Sequence, residues 1–269
     1  MSGICEPAMG AMVGSAVTLA ETPLLSYVLG RADDALILGH RLSEWTGHAP
    51  ILEEEMALAN LALDLIGQAR LLYEYAGVIE GAGRGEDDFA YFRDPPQFRN
   101  LLLVERPNGD FAMTMLRHFL YAAFADPYWR AMTASADATL AAIAAKAEKE
   151  MAYHLRHAAD WVIRLGDGTA ESHRRLDSAL ATLWPFTGEM FRAEAGEAAL
   201  IAAGIVIDPA ILRPTSEATI GRVFTEAGLT RPAGDGWQSG GRRGRHSEAL
   251  GHLLATLQHL ARSHPGAKW

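Results

Sequence analysis

Apolar residues recur at alternating intervals of four and three along four long segments of this 269-residue chain. That spacing gathers them on one face of an α-helix, whereas the period-two alternation typical of β-strands is almost absent. Ala, Leu, Arg and Glu, which favour helices over strands, dominate the same segments. The pattern therefore predicts an all-α protein built around four long helices.

The first two predicted helices follow each other closely. The first runs from about Pro23 to Trp45, and Gly39 lies on a small face that lets another backbone approach. The second opens near Pro50, a residue suited to a first helical turn, and closes near Gly77.

The second predicted helix is apolar on two sides. One seam comprises Leu52, Met56, Ala59, Leu63, Ile66 and Tyr73. The opposite seam comprises Leu61, Leu65, Leu72 and Tyr75, with Gln68 in its middle. A helix that is apolar on two faces is expected to be buried on two faces, either at the centre of the domain or against a second subunit.

The third and fourth helices have clear start signals. The third begins after the cap at residues 108–110, and Pro127 is expected to kink or end it. The fourth follows Asp137 as its N-cap and stops at Gly166 and Gly168.

A long connection over residues 81–107 separates the second helix from the third. Four long helices with one long crossover between the second and third are the ferritin-like arrangement. Shorter helices are predicted over 171–183, 194–203, 216–227 and 247–262, and the Gly/Arg-rich stretch 234–245 is predicted as a loop. We expect residues 23–269 to form a single ferritin-like helical domain with additional C-terminal helices, preceded by a disordered leader over residues 1–22.

Composition narrows the class of protein. A single cysteine, Cys5, cannot form an internal disulfide, so a reducing, cytoplasmic setting is expected. The 33 acidic against 24 basic residues give a net charge of −9, which argues against a nucleic-acid partner. No run approaches the roughly 20 apolar residues that a membrane helix needs.

A ferritin-like bundle raises the question of a carboxylate-bridged di-iron centre, which needs Glu-x-x-His on two helices. None of the ten histidines has a glutamate three residues before it. Met151 stands three before His154, and Leu65 three before Gln68, so these four are the positions of a degenerate site. We interpret Gln68, His118 and His154 as buried polar groups that hydrogen-bond to one another or to water, and expect neither a metal nor a catalytic residue in this chain.

Two further groups of polar residues allow alternative interpretations of function. His40 and Glu44 have i,i+4 spacing and share a stripe with Asp33, which we interpret as a solvated or subunit-facing surface. An autonomous di-metal oxidase or oxygenase with an irregular site would instead draw on His154, Glu150, Asp64 and Glu44.

The loop around residue 242 is the most basic piece of the chain, and its candidate contact residues are Arg242, Arg243, Arg245 and His246. Glycines and arginines before a helix N-terminus can hold a phosphate, such as that of coenzyme A. A helical acyl-CoA-binding protein is therefore an alternative function, although a flexible or partner-contacting loop explains the same residues.

Several long strings resemble one known family, the structural C subunits of bacterial phenylacetyl-CoA 1,2-epoxidase. The likeness extends over residues 26–259, and the strings that carry it lie at 33–45, 57–60, 62–70, 98–105, 107–111, 153–157, 161–169 and 240–250.

The resemblance implies a place in aerobic phenylacetate degradation, in an NADPH-dependent oxygenase that epoxidises the ring of phenylacetyl-CoA. In that family a catalytic A subunit holds the di-iron centre and the substrate, a small B subunit joins pairs of the larger chains, and a reductase carries flavin and iron–sulfur groups. The C subunit is ferritin-like and metal-free, and it pairs with and stabilises the A subunit. A homodimer of the isolated chain stays an open alternative.

Overall fold

The computed structural model describes residue 19 and residues 22–267. Within these residues the regular elements are α-helices and short 3-10 helices, with no β-strand. The α-helices are α1 (Pro23–Ser43), α2 (Leu52–Glu80), α3 (Glu86–Tyr91), α4 (Phe111–Met132), α5 (Ala138–Gly166), α6 (Ala170–Leu183), α7 (Ala198–Ala202), α8 (Arg213–Glu226) and α9 (Glu248–Ser263). The prediction of an all-α protein is confirmed.

Local side-chain chemistry explains where the long helices begin. Thr22 caps α1 by accepting a hydrogen bond on its hydroxyl from the Leu25 amide at 3.2 Å. Asp110 and Asp137 cap α4 and α5 in the same way. α2 has no side-chain cap, but residues 53–55 are three glutamates at the positive end of its dipole.

Helices α1 and α2 pack along each other, as do α4 and α5, and α2 meets α5 across the bundle. The connection between α2 and α4 is the long crossover, so the ferritin-like arrangement is confirmed. A Cβ atom at Gly39 would lie 3.2 Å from the Ala62 carbonyl oxygen, which shows that this small face does admit the backbone of α2.

One predicted helix end is wrong, and one of the two expectations for Pro127 is excluded. α2 continues past Gly77 to Glu80, and Gly81, with a φ of 68°, is the residue that ends it. Pro127 does not end α4, which runs on to Met132. A proline late in a helix removes one backbone bond, and here the buried ring of Trp129 keeps the last turn packed on the core.

The C-terminal third follows the predicted order of short helices. α6, α8 and α9 match three of the predicted segments to within three residues. The predicted helix over 194–203 is instead divided between a 3-10 turn, Ala195–Glu197, and α7. Another 3-10 helix, Trp184–Phe191, begins where Pro185 breaks α6.

The two apolar seams of α2 have different environments. The seam with Leu61, Leu65 and Leu72 is buried in the core. On the other seam Tyr73 is buried, but Leu52, Met56 and Leu63 are 70%, 60% and 66% exposed. Burial of both faces at the centre of the domain is therefore wrong, and burial of the second face against another subunit stays a prediction.

The predicted leader, residues 1–22, lies outside the described residues except for positions 19 and 22. Among the helices that the structure describes, none combines the length and apolar character required to cross a bilayer.

Candidate functional site

The predicted degenerate positions meet at the centre of the bundle. Leu65 and Gln68 lie on α2, Met151 and His154 lie on α5, and all four are at most 1% exposed. The i,i+3 spacing turns both members of each pair toward the interior. His118 of α4 is fully buried beside them, with its ring centroid 5.1 Å from that of His154.

The polar groups at this centre bind carboxylates at the edge of the helix pair. Gln68 Nε2 donates to Glu150 Oε2 at 2.9 Å, and His154 Nε2 lies 3.3 Å from Asp64 Oδ2. Direct hydrogen bonds among Gln68, His118 and His154, as the sequence interpretation allowed, are not formed. The reason is that the long Gln68 and His154 side chains reach past the apolar seam to its acidic border.

His118 has the most unusual environment of the group. Neither of its ring nitrogens has a hydrogen-bond partner among the described residues. Burial lowers its pKa well below the usual 6.5, and the nearby rings of His154 and His157 and the guanidinium of Arg117 act in the same direction. His118 is therefore neutral at pH 7.

The donors at this centre do not fit a carboxylate-bridged di-iron group. Leu65 and Met151 occupy the positions where such a group needs carboxylates, and Gln68 stands where it needs an imidazole. Across residue 19 and residues 22–267, no three or more His, Cys, Asp or Glu side chains are grouped so that they could hold a metal ion. No step of oxygen chemistry is therefore assigned to these side chains.

The residues of the irregular di-metal alternative are not brought together. Asp64 and His154 are in contact, whereas Glu150 accepts a hydrogen bond from Gln68. Glu44 binds Arg41 at 2.8 Å and the Asn108 amide at 2.9 Å instead. These four residues therefore do not form one ligand set.

The stripe of Asp33, His40 and Glu44 is not one surface. His40 and Glu44 do line an open cleft of about 420 Å³ beside α9. Asp33, however, is fully buried and pairs with Arg93. Its assignment to a solvated or subunit-facing stripe is wrong, because a buried arginine from the crossover neutralises it.

The basic loop divides into buried and exposed cations. Arg242 Nη2 donates to Asp34 Oδ2 at 2.6 Å, and His246 Nδ1 lies 2.7 Å from Glu105 Oε2. Both side chains are at most 5% exposed, so they hold the loop to the bundle. Arg243 and Arg245 remain exposed, and a ligand or partner role for the loop stays a prediction for those two.

Sequence reasoning missed the buried ionic network beneath this loop. Asp33 accepts from Tyr73 at 2.5 Å and from the Arg99 amide at 2.7 Å, in addition to its pair with Arg93. The available signal was a pair of adjacent aspartates in the middle of a mostly apolar helix, which requires cationic partners when it is buried.

The fold and the altered centre together define a class: a ferritin-like bundle whose interior lacks the residues of a di-iron site. A family model described as "Phenylacetic acid catabolic protein" matches residues 15–269. This chain therefore belongs to the phenylacetic acid catabolic protein family.

A characterised relative is similar along almost its whole length. The C subunit of the 1,2-phenylacetyl-CoA epoxidase of Escherichia coli (strain K12) is 45% identical over 246 residues. The aligned region covers 91% of this chain and 99% of that protein. The match supports a role for this chain in phenylacetate catabolism.

Proposed function

We propose that this chain is the non-catalytic structural component of a multicomponent di-iron oxygenase that epoxidises the ring of phenylacetyl-CoA. The observation that carries the proposal is the presence of Leu65 and Met151 at the two bundle positions where iron ligands would be carboxylates. The similarity to an epoxidase C subunit over nearly the whole chain supports the same role.

In this proposal partner subunits carry out the oxygenase reaction. A catalytic A subunit holds the di-iron centre and binds phenylacetyl-CoA, a small B subunit joins the pairs, and a reductase supplies electrons through flavin and iron–sulfur groups. The complex works in the cytoplasm. The present chain binds no cofactor and stabilises the A subunit by covering one of its faces.

The exposed seam of α2 supports this pairing. We define the α2 patch as Ile51, Leu52, Met56 and Leu63, each at least 50% exposed. Side chains of this type at helical spacing cost free energy in water and are typical of a helix that is covered by a partner protein. We propose that the A subunit binds at the α2 patch.

The test is a pair of charged substitutions, Met56→Glu and Leu63→Asp, made together in a chain co-expressed with the A subunit. Both side chains are mostly exposed, so the isolated variant should fold with a stability change of less than about 1 kcal/mol. Size-exclusion chromatography should show the wild-type chain co-eluting with the A subunit and the variant eluting alone.

A matched control is Leu260→Asp, which makes the same change at a 52% exposed leucine on α9. This variant should still co-elute with the A subunit. Undiminished pairing of the double variant would place the interface elsewhere. A wild-type chain that never pairs, or that epoxidises phenylacetyl-CoA without the A subunit, would remove the structural role itself.

A further inference from the structure

A cavity of about 300 Å³ lies beside the first turns of α1, and Arg242 of the basic loop is part of its lining. α1 contributes Pro23, Ser26, Tyr27 and Arg31 to its lining, and the 3-10 turn Ala195–Glu197 forms the facing wall. The proposed function makes no use of this cavity.

Two opposite charges in the lining each keep one atom without a hydrogen-bond partner. Arg31 is 5% exposed, and its Nε has no such partner among the described residues. Glu197 is 7% exposed, and its Oε2 is likewise without a partner there. These two atoms have almost no accessible surface of their own, but neither side chain forms a hydrogen bond to a described residue, so the other guanidinium nitrogens of Arg31 and Oε1 of Glu197 are the atoms that a ligand in the cavity would meet. No nitrogen of Arg31 comes within 4.0 Å of a Glu197 oxygen, and buried charged groups without hydrogen bonds are costly unless something binds them.

The neighbouring carboxylate does not satisfy Arg31. Asp34 lies 3.7 Å from Arg31 Nη1, but Arg242 holds both of its oxygens and the Leu101 amide donates to one of them. The guanidinium of Arg31 otherwise stacks on the rings of Tyr27 and Tyr128, which offer no acceptor in that direction.

The other charged groups beside the cavity have partners of their own. Arg242 pairs with Asp34, Glu194 pairs with the exposed Arg243, and Arg99 donates to two backbone carbonyl oxygens. Arg31 and Glu197 are therefore one positive and one negative group without hydrogen bonds, and a charged ligand would be attracted by one of them and repelled by the other. A neutral group with an acceptor and a donor side by side would satisfy both free groups.

We propose that this cavity is a binding site for a small neutral amide, whose carbonyl oxygen accepts from Arg31 and whose N–H donates to Glu197. Pro23, Ala195 and the ring face of Tyr27 supply the apolar surface that such pockets use to hold the rest of a ligand. The donor and acceptor fix the orientation of the amide, and the wall of the 3-10 turn limits its size.

The first test compares three benzene derivatives of similar size and different charge: benzamide, benzoate and benzylammonium. Ligand-observed NMR on the full chain should give a dissociation constant on the order of 1 mM or lower for benzamide. The two charged probes should bind about tenfold more weakly or not at all, because each leaves an uncompensated charge in the cavity. Equal binding of all three probes, or no binding of benzamide, would overturn the proposal and indicate that the cavity holds only water.

The second test uses the charge balance itself. Glu197→Gln gives the cavity an excess positive charge, so the preference should move from benzamide to benzoate. Arg31→Gln gives the opposite excess, so benzylammonium should become the preferred probe. A purely structural role of these residues would weaken all probes together and would not exchange their order.

Two further variants complete the experiment. A Cβ atom at Gly196 would lie 3.7 Å from Pro23 Cβ, in ordinary contact, so Gly196→Val should narrow the cavity and abolish binding of every probe. Arg222 is exposed, pairs with Glu226 and does not line the cavity, so Arg222→Gln should leave the order of the probes unchanged. Retained benzamide binding in Gly196→Val would show that the probe binds at another place.

Discussion

Two histidines of this chain occupy opposite electrostatic environments. His118 is buried beside His154 without a hydrogen-bond partner among the described residues, and its pKa is lowered. Burial also acts to lower the pKa of His246, but its hydrogen bonds to Glu105 and to the Phe98 carbonyl oxygen outweigh burial and raise it. Both ring nitrogens of His246 face acceptors, so its bonding partners favour the imidazolium form.

The lowered pKa of His118 predicts a loss of stability in acid. Below pH 6.5 His118 binds a proton in the unfolded chain but stays neutral in the folded chain, so the free energy of unfolding falls as the pH falls. The free energy of unfolding of His118→Leu, relative to that of the wild type, should therefore be roughly 1 kcal/mol higher at pH 5.5 than at pH 7.5. Urea unfolding at the two pH values measures this difference.

His246→Gln provides the comparison of opposite sign. The raised pKa of His246 gives a stabilising contribution that is full below pH 6.5 and is lost as the pH rises through the folded-state pKa. This variant should therefore lose more stability at pH 5.5 than at pH 7.5. A parallel pH dependence in wild type and His118→Leu would show that His118 takes up its proton normally in the folded chain.

At the scale of elements, helices with their own start signals were the most predictable. α4 and α5 begin where the signals at residues 108–110 and at Asp137 indicate, because an N-cap is a local interaction formed within four residues. The end of α2 could not be found in this way. Gly77 does not have the positive φ of a glycine that ends a helix. The need for glycine at this position is apparent only from the backbone of Arg84, which packs against it.

The candidate site was predictable only in part. The i,i+3 spacing correctly placed Leu65, Gln68, Met151 and His154 in the interior, because helical periodicity fixes which side chains share a face. The buried position of Asp33 was not predictable from that periodicity. Its neutralising partner is 60 residues away in the crossover, and hydropathy alone assigns a carboxylate to the surface.

Two glycines of α2 give a prediction about this helix. A Cβ atom at Gly77 would lie 2.3 Å from the Arg84 carbonyl oxygen, whereas at Gly67 the nearest atom would be the mobile Lys146 Nζ at 3.8 Å. Gly77→Ala should therefore destabilise the chain by more than about 2 kcal/mol. Gly67→Ala should stabilise it by up to about 1 kcal/mol through helix propensity.

Thermal or urea unfolding of the two variants beside the wild type measures both effects, since the same methyl group is added on the same helix. Equal stability of the two variants would mean that the turn after α2 adjusts freely. That result would contradict the close approach of Arg84 to the helix.

At the scale of the whole molecule, adjacent aspartates of α1 connect three distant parts of the chain. Asp33 binds Arg93 of the crossover, and Asp34 binds Arg242 of the basic loop. Glu105, also fully buried, joins the crossover to the loop through His246 and Ser247. The crossover and the C-terminal loop are thus held to the bundle by charge as well as by apolar packing.

Asp34→Asn tests this connection. The substitution preserves the volume of the side chain but leaves the buried Arg242 without its counter-charge and removes the negative charge nearest to Arg31. Removing one partner from a buried ion pair costs about 3–5 kcal/mol, and we expect a loss of that size in urea unfolding.

Glu226→Gln is the surface control, because its pair with Arg222 is exposed at both ends. Its effect should stay below about 1 kcal/mol. If Asp34→Asn were as mild as this control, the buried network would contribute little to holding the loop.

The large sequence separation between Asp34 and Arg242 also affects when their ion pair can form during synthesis of the chain. The two residues are 208 positions apart, so a ribosome that adds about 5–20 residues per second needs about 10–40 s to pass from one to the other. During that interval α1 carries a carboxylate whose final cation does not yet exist. The contact between α1 and the basic loop can therefore form only after Arg242 has been synthesised.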